Sequence, residues 1–262
     1  MENLIFNVEK VPLKDLLKVD LNPVSGIDHA IVAKGKILHT CSKDYGLVTN
    51  ETLIRAFTQH LGNQKIETKV TGSNHRDSKF AIEIAMMSRS YNFGSKKHPD
   101  QVHPTITLYN SYNGTQKYSF TVRFWRQICS NGMGRFESQA LSLLHTPQVT
   151  DGAAVSKAMV LLTQFMDTYE DELEPLLDLQ DSPVRDIEAR IDAVAEAVGF
   201  PPILTEYAKE RAVAELNQYH LEPSDWLVYN ALNYQMNHNA GALVGHKAAR
   251  LDNKVMQYLL TY

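Results

Sequence analysis

The chain has 262 residues, 44% of them hydrophobic and 21% charged, with a formal net charge of -4. That profile fits a folded globular protein with a sizeable core and excludes a low-complexity or disulfide-stapled chain, because the only cysteines are Cys41 and Cys129. No apolar run reaches the ~18 residues of a membrane span and the first residues mix charge into their apolar side chains, so we expect a cytoplasmic protein with no membrane partner.

Taken in chain order, residues 13–18 predict a short helix, and Asn22, Pro23, Ser25 and Gly26 a loop. Strands over 29–33 and 36–40 are joined by a turn at Lys34 and Gly35. A turn over 42–46 precedes a helix over 51–61, capped by Thr49 or Asn50, with Leu53, Ile54 and Phe57 on its buried side and Gly62 past its end. Ile66, Thr68 and Val70 then alternate with Lys65, Glu67 and Lys69 as a strand, residues 72–78 make a polar turn, and a second strand covers 79–87. Residues 88–103 read as a long exposed loop.

After Arg135 helical spacing takes over. A short helix is expected over 136–145 and an amphipathic one over 153–173, with Val155, Met159, Leu162, Met166, Tyr169 and Leu173 as its stripe. Ser182 and Pro183 start the next helix and Gly199 ends it; others run over 205–219, from a cap at Ser224, and over 246–260. The fold class is α+β: an antiparallel sheet with a central β-hairpin and a short helix, followed by a mostly α-helical C-terminal region. The expected division is an α+β domain over 1–150 and an acidic helical region over 151–262 packing on it.

Charge follows a similar division. Residues 1–64 carry 7 cations against 7 anions, residues 65–135 carry 11 against 4, and residues 136–262 carry 8 against 19. Such asymmetry points to a basic face for an anionic partner beside an acidic module, or to two segments that neutralise each other.

The hairpin over 104–135 holds the most pointed chemistry. Tyr118, Phe120, Val122, Phe124 and Ile128 fall on one face, and Lys117, Ser119, Thr121, Arg123, Trp125, Gln127 and Cys129 on the other. A three-residue turn of Tyr112, Asn113 and Gly114, with Gly114 as the left-handed bulge residue, keeps Leu108 and Ile106 opposite Tyr118 and Phe120. The outer face then carries Lys117, Arg123 and Trp125 with Thr107 and Tyr109 alongside. Cations around an aromatic ring suit a nucleic-acid backbone with a base stacked on the ring, worth ~1–3 kcal/mol per base; a Trp125 buried as ordinary core is the alternative. The candidate nucleic-acid-binding set is Lys96, Lys97, Lys117, Arg123, Trp125, Arg126 and Arg135. The following turn offers Asn131, Gly132 and Gly134 to an anion, without the ending of a P-loop or the third glycine of a dinucleotide site.

No arrangement of catalytic residues stands out, and no cofactor is implied. Cys129 reads as a small buried hydrophobe. His98, Asp100 and His103 could form a metal site and support a metal-dependent hydrolase as an alternative, against the usual solvated state of loop histidines. Glu170, Asp171, Glu172 and Glu174 read as a solvated helix face.

Leu38, Ser42, Tyr45, Val48 and Asn50, then Asn110, Ser111 and Gly114, then Arg126, Cys129, Ser130, Asn131 and Gly132, and finally Tyr229, Asn230 and Ala231, resemble successive motifs of the phage/plasmid-like proteins grouped as domain of unknown function 932. The resemblance implies a protein of bacteriophages, plasmids or their hosts, and brings no activity or catalytic residues with it. Together with the basic hairpin it leads us to expect a DNA-binding protein of phage or plasmid nucleic-acid metabolism. Single-stranded DNA is the expected partner, in annealing or protection during recombination and with self-association. A non-enzymatic factor engaging a host protein through the acidic helices is the other class of reading.

Overall fold

Two periodicities build the molecule: alternating apolar residues make its strands up to Leu143, and three-to-four spacing makes its helices from Asp151 onward. The computed structural model describes residues 3–18, 26–94, 97–126, 131–133, 141–149, 151–239 and 246–262. In chain order the elements are β1 (Val8–Pro12), α1 (Leu13–Leu17), β2 (His29–Ala33), β3 (Lys36–Cys41), α2 (Asn50–Asn63), β4 (Thr68–His75), β5 (Lys79–Met86), β6 (Tyr91–Asn92), β7 (Gln101–Ser111), β8 (Tyr118–Arg126), β9 (Asn131–Met133) and β10 (Leu141–Leu143). Helices α3 (Asp151–Gln180), α4 (Ile187–Val198), α5 (Pro202–Tyr219) and α6 (Asp225–Tyr234) follow, then a π-helical turn (Gln235–Asn239) and α7 (His246–Thr261). The fold is mixed α+β with antiparallel pairing and a helical C-terminal region. Among the described residues no helix is long and apolar enough to cross a membrane.

Two compact units are interleaved along the chain. The first comprises 1–89, 105–122 and 136–166; the second comprises 90–104, 123–135 and 167–262. Residue 150 therefore falls inside a segment of the first unit. Counted this way the charges are 14 cations to 12 anions in the first unit and 12 to 18 in the second. Five cations of the basic segment (Lys96, Lys97, Arg123, Arg126 and Arg135) belong to the acidic unit.

In the first unit β1, β2 and β3 form one antiparallel sheet, and a second sheet has the order β10, β8, β7, β5, β4. Lys34 and Gly35 turn the β2–β3 hairpin with φ of 50 and 70, the two left-handed positions of a type I′ turn. Thr49 caps α2, accepting from the Thr52 amide at 3.3 Å. Leu53, Ile54 and Phe57 are buried as expected, and the Phe57 ring stacks on Phe120 at 5.4 Å. The alternation on β8 holds through the described residues, with Tyr118, Phe120, Val122 and Phe124 buried and Ser119, Thr121, Arg123 and Trp125 half-buried.

Several expected features differ. Thr105 and Thr107 are 1% and 0% exposed, so both faces of β7 are covered there and Thr107 is no part of an open surface. The β7–β8 connection covers residues 112–117, longer than a three-residue turn, although Gly114 does take the left-handed conformation at φ 68. Strand β4 runs on to His75, and the turn is made by Arg76 and Asp77 at φ 53 and 56. The glycine at 72 suggested an earlier end but sits inside the strand opposite Ile82, at a positive φ of 158 that a side chain would disfavour. Leu141–Leu143 is a strand on β8 where a helix is expected; residues 134–140 lie outside the described set.

In the second unit β6 pairs with the start of β7, and β9 with the end of β8. The buried residues of α3 include Ala154, Ala158, Leu162, Phe165, Tyr169, Leu173, Leu176 and Leu179, so the stripe lies partly beside the expected one, with Val155, Met159 and Met166 half-buried. Small alanines let the helix approach its neighbours, which a count of large apolar residues overlooks. Helix α4 begins after Asp186, whose carboxylate accepts from the Ala189 amide at 3.0 Å; Ser182 and Pro183 lie ahead of it, where Pro183 bridges to Ser224. Gly199 ends α4 at φ 72.

Candidate functional site

The second unit encloses a charged cluster built from three elements and a loop. Arg126 closes β8 and is completely buried, one of the largest fully enclosed side chains in the molecule. Its Nε donates to both oxygens of Asp100 at 2.8 Å, its Nη2 to Asp100 at 2.6 Å and its Nη1 to Glu215 at 2.7 Å. Arg211 donates to the other Glu215 oxygen at 2.6 Å, one turn back on α5. Trp226 gives its indole N–H to Asp100 at 3.0 Å and stacks on Phe93 at 4.2 Å. A buried guanidinium needs this full set of acceptors, because each uncompensated charge in the interior costs several kcal/mol, on the order of 3–5.

This corrects two expectations. Arg126 is not available to a nucleic-acid backbone, since it has no exposed surface. Residues 88–103 are not simply an exposed loop, because Phe93, Asp100 and His103 are buried and residues 91–92 pair as a strand. Asp100 gives both oxygens to Arg126 and Trp226. Among the described residues no group of three or more His, Cys, Asp or Glu is placed to hold a metal ion.

The remaining predicted residues are dispersed. Lys97 and Lys117 are exposed, in the second and first units respectively. Arg123 and Trp125 are half-buried, and the Trp125 ring lies 5.8 Å from that of His103. Lys96, Arg135, Gly134 and Cys129 lie outside the described residues. Asn131 and Gly132 belong to β9 and not to a turn, because their backbone pairs with Arg126 and Trp125.

A second buried acid lies on α7. Asp252 accepts from the Asn233 amide at 2.9 Å and from the Tyr229 hydroxyl at 3.3 Å. Burial pushes its carboxyl up from 3.8 to about 6, while Asn233, Tyr229 and the charge of Arg123 pull in the other direction. Burial and the neighbouring Asp252 also raise the Tyr229 phenol well above its ordinary range.

Cations do gather in the first unit, at three successive turns. Lys34, in the β2–β3 turn, reaches Asp77 in the β4–β5 turn at 2.8 Å and lies 4.2 Å over the Phe6 ring. Asp77 also accepts from Asn74 at 2.9 Å, and its amide returns a bond to the Asn74 oxygen at 2.8 Å. Its carboxyl is held low by the Lys34 and Asn74 bonds and by the nearby charge of Lys36. Tyr112, opening the β7–β8 connection, donates its amide to Ser78 at 2.8 Å. Gly114 approaches the ring of His39 so closely that a Cβ would lie 2.9 Å from Nε2. Lys34, Lys36, Arg76 and Lys117 are exposed and Lys79 half-buried around these turns, whose own residues include one carboxylate, Asp77. Lys34 and Arg76 each occupy a left-handed position at φ near 50, at 50 and 53, a conformation that costs a non-glycine residue roughly 1–2 kcal/mol.

Of the motif residues that suggested a family resemblance, Tyr45, Asn50, Asn110 and Ser111 act as fasteners. Asn110 donates to the Val48 carbonyl at 2.8 Å and to the Asn50 side chain at 2.9 Å; Asn50 donates its amide N–H to the Tyr112 hydroxyl at 2.8 Å and its side chain to Leu4 at 3.0 Å. The Ser111 hydroxyl donates to the Gln116 carbonyl at 2.8 Å, closing the β7–β8 connection. His145 stacks on Tyr45 at 5.0 Å. A sequence pattern alone does not separate such buried polar pins from ligand contacts; the bonds that Asn110 and Asn50 make across 60 and 62 positions do.

The family described as domain of unknown function (DUF932) matches residues 37–253. No curated protein and no solved structure matches the chain.

Proposed function

Since the chain belongs to the family described as domain of unknown function (DUF932), which brings no assigned reaction, we propose that it binds nucleic acid through the cation-rich turns of its first unit, with single-stranded DNA the preferred form. The observation that carries this reading is the joining of the β2–β3, β4–β5 and β7–β8 turns by the Lys34–Asp77 ion pair and the Tyr112–Ser78 bond. Around them stand Lys34, Lys36, Arg76, Lys79 and Lys117. Backbone strain at Lys34 and Arg76 supports a role beyond turning the chain, because Asn or Gly would make either turn more cheaply. Annealing or protecting strands in phage or plasmid recombination is the setting the resemblance suggests.

Fluorescence anisotropy of a labelled oligothymidylate, repeated over a salt series, tests the reading. Four exposed cations on a single strand give a slope of log affinity against log salt of about -3. A triple K36E/R76E/K117E variant should abolish the binding. Salt-independent binding, or an unaffected triple variant, would refute this reading.

A second reading, a factor that engages a basic host protein, draws on α3 in the second unit. Asp167, Glu170, Asp171, Glu174 and Asp178 are exposed there and form no ion pair among the described residues. Charge reversal at Glu170 and Glu174 would release one stoichiometric partner from a pull-down if this reading holds.

A further inference from the structure

We propose that strand β4 is a pairing edge for a second copy of this chain, joining the two β4 strands antiparallel about Val70. In the sheet order β4 stands at the end, with β5 on one side and no strand on the other. Its residues pair with β5 in one unbroken register, from Thr68 with Met86 to His75 with Lys79. An open edge of that length is ordinarily blunted by proline, by a bulge or by being short. The other long sheet edges among the described residues follow that rule: β1 contains Pro12, the β2–β3 register shifts between Ile31 and Val32, and β10 has 3 residues. Strand β4 has none of these devices.

Register decides which backbone groups are left over. Hydrogen-bonded and non-bonded pairs alternate along an antiparallel ladder. Met87 donates its amide to the Glu67 carbonyl at 2.7 Å, so Glu67 and, in step with it, Lys69, Thr71, Ser73 and His75 turn their backbone towards β5. Thr68, Val70, Gly72 and Asn74 therefore direct their N–H and C=O groups away from the sheet. Those of Thr68, Val70 and Gly72 meet no hydrogen-bond partner among the described residues. At one end Asn74 donates its side-chain amide to the Asn3 carbonyl at 2.6 Å, which holds residue 3 there. At the other the Ile66 amide is already taken by the Leu61 carbonyl at 3.0 Å. The open stretch is 68–72, with Val70 at its centre.

A two-fold axis at Val70 matches that stretch to itself. Val70 then faces Val70 of the second copy and Thr68 faces Gly72, each pair exchanging two backbone hydrogen bonds. Gly72 sets no side chain against Thr68. On the exposed face Lys69 lies across from Thr71 of the second copy, whose neighbour on β5 is Glu83. The Thr71 hydroxyl donates to Glu83 at 3.4 Å, so this carboxylate leans towards the edge. Strands two apart are about 10 Å from each other, a gap that a lysine and a glutamate side chain close together. Symmetry makes that contact twice. This charge match, and the fit of one stretch to itself, select a second copy over an unrelated strand. The joint is independent of nucleic-acid binding at the cationic turns.

Sedimentation equilibrium of the full chain over a concentration series tests the proposal, and should show a monomer–dimer equilibrium. V70P removes the central outward amide at an edge position that tolerates proline, and should weaken the dimer about a hundredfold or more. K69E sets a glutamate against Glu83 and should weaken it about tenfold, while the exchanged pair K69E/E83K should return to within about threefold of the parent. Oxidised V70C should form a disulfide-linked dimer, since facing Cα atoms in such a pair lie about 5.5 Å apart. S73C and the parent chain, which keeps Cys41 and Cys129, should not. If V70P fails to fold, the V70C cross-link and the charge exchange decide the matter. A monomer up to about 1 mM, a dimer unchanged in K69E and in a folded V70P, cross-linking of S73C as efficient as that of V70C, or growth beyond a dimer would each overturn the proposal.

Discussion

Exchanging Arg126 for methionine keeps most of the side-chain length and removes the charge on which Asp100 and Glu215 depend. Those carboxylates are 0% and 2% exposed and would keep one donor each, the Trp226 indole at 3.0 Å and Arg211 at 2.6 Å. Breaking a buried pair from one side costs about 3–5 kcal/mol, because the orphaned charge stays desolvated. Taking ~4 kcal/mol and ~2–4 °C per kcal/mol for a chain of this size, R126M should melt about 8–16 °C below the parent. Tryptophan fluorescence during urea unfolding is a selective probe, since both tryptophans, Trp125 and Trp226, belong to the second unit. The midpoint should fall with little change in the dependence on urea. A D100N/R126M/E215Q triple variant should recover most of the loss, because the penalty lies in the stranded carboxylates and not in the missing attraction. An R126M loss below about 1 kcal/mol, or a triple variant no more stable than the single, would refute the reasoning.

Two further outcomes follow from the packing. Asp252 is held near 6 against an ordinary 3.8, so the folded state binds its proton more tightly and stability falls as pH rises from about 3.8 to about 6. D252N should abolish that fall and gain up to ~3 kcal/mol over the parent at pH 7 relative to pH 4; urea melts across pH measure it, and a carboxyl carbon titrating near 4 in NMR would contradict it. In the first unit, a Cβ at Gly46 would run into the carbonyl oxygens of Thr146 and Val149. G46A should therefore destabilise by about 3 kcal/mol or more in a thermal melt, and a neutral variant would mean that this approach is looser than described.

Local chemistry was readable where the signal was local. The Lys34–Gly35 turn, the Thr49 cap, the Gly199 helix end and the β8 alternation each depend on neighbours within a few positions. Short strands such as β6, β9 and β10 carry too few residues to show a period, and only their pairing partners define them. Arg126 looked like a surface cation because Trp125 and Arg123 flank it, while its carboxylates lie 26 and 89 positions away. Thr107 looked solvent-facing because polarity, in a strand covered on both sides, says little about exposure. The charge division was real along the chain, but the interleaved units redistribute it. The turn cluster was beyond reach because Lys34 and Asp77 meet across 43 positions.

The crossing of the chain between its units also sets a schedule for synthesis on the ribosome. The first unit has its last segment once residue 166 has emerged, whereas Asp100 and Arg126 belong to a unit whose largest segment starts at residue 167. Glu215 follows Arg126 by 89 residues, or about 4–18 s at ~5–20 residues per second. Through that interval the nascent chain holds the two ends of a future interior ion pair apart, so a codon-dependent pause before Glu215 would lengthen the time in which Asp100 and Arg126 are open to chaperones and proteases.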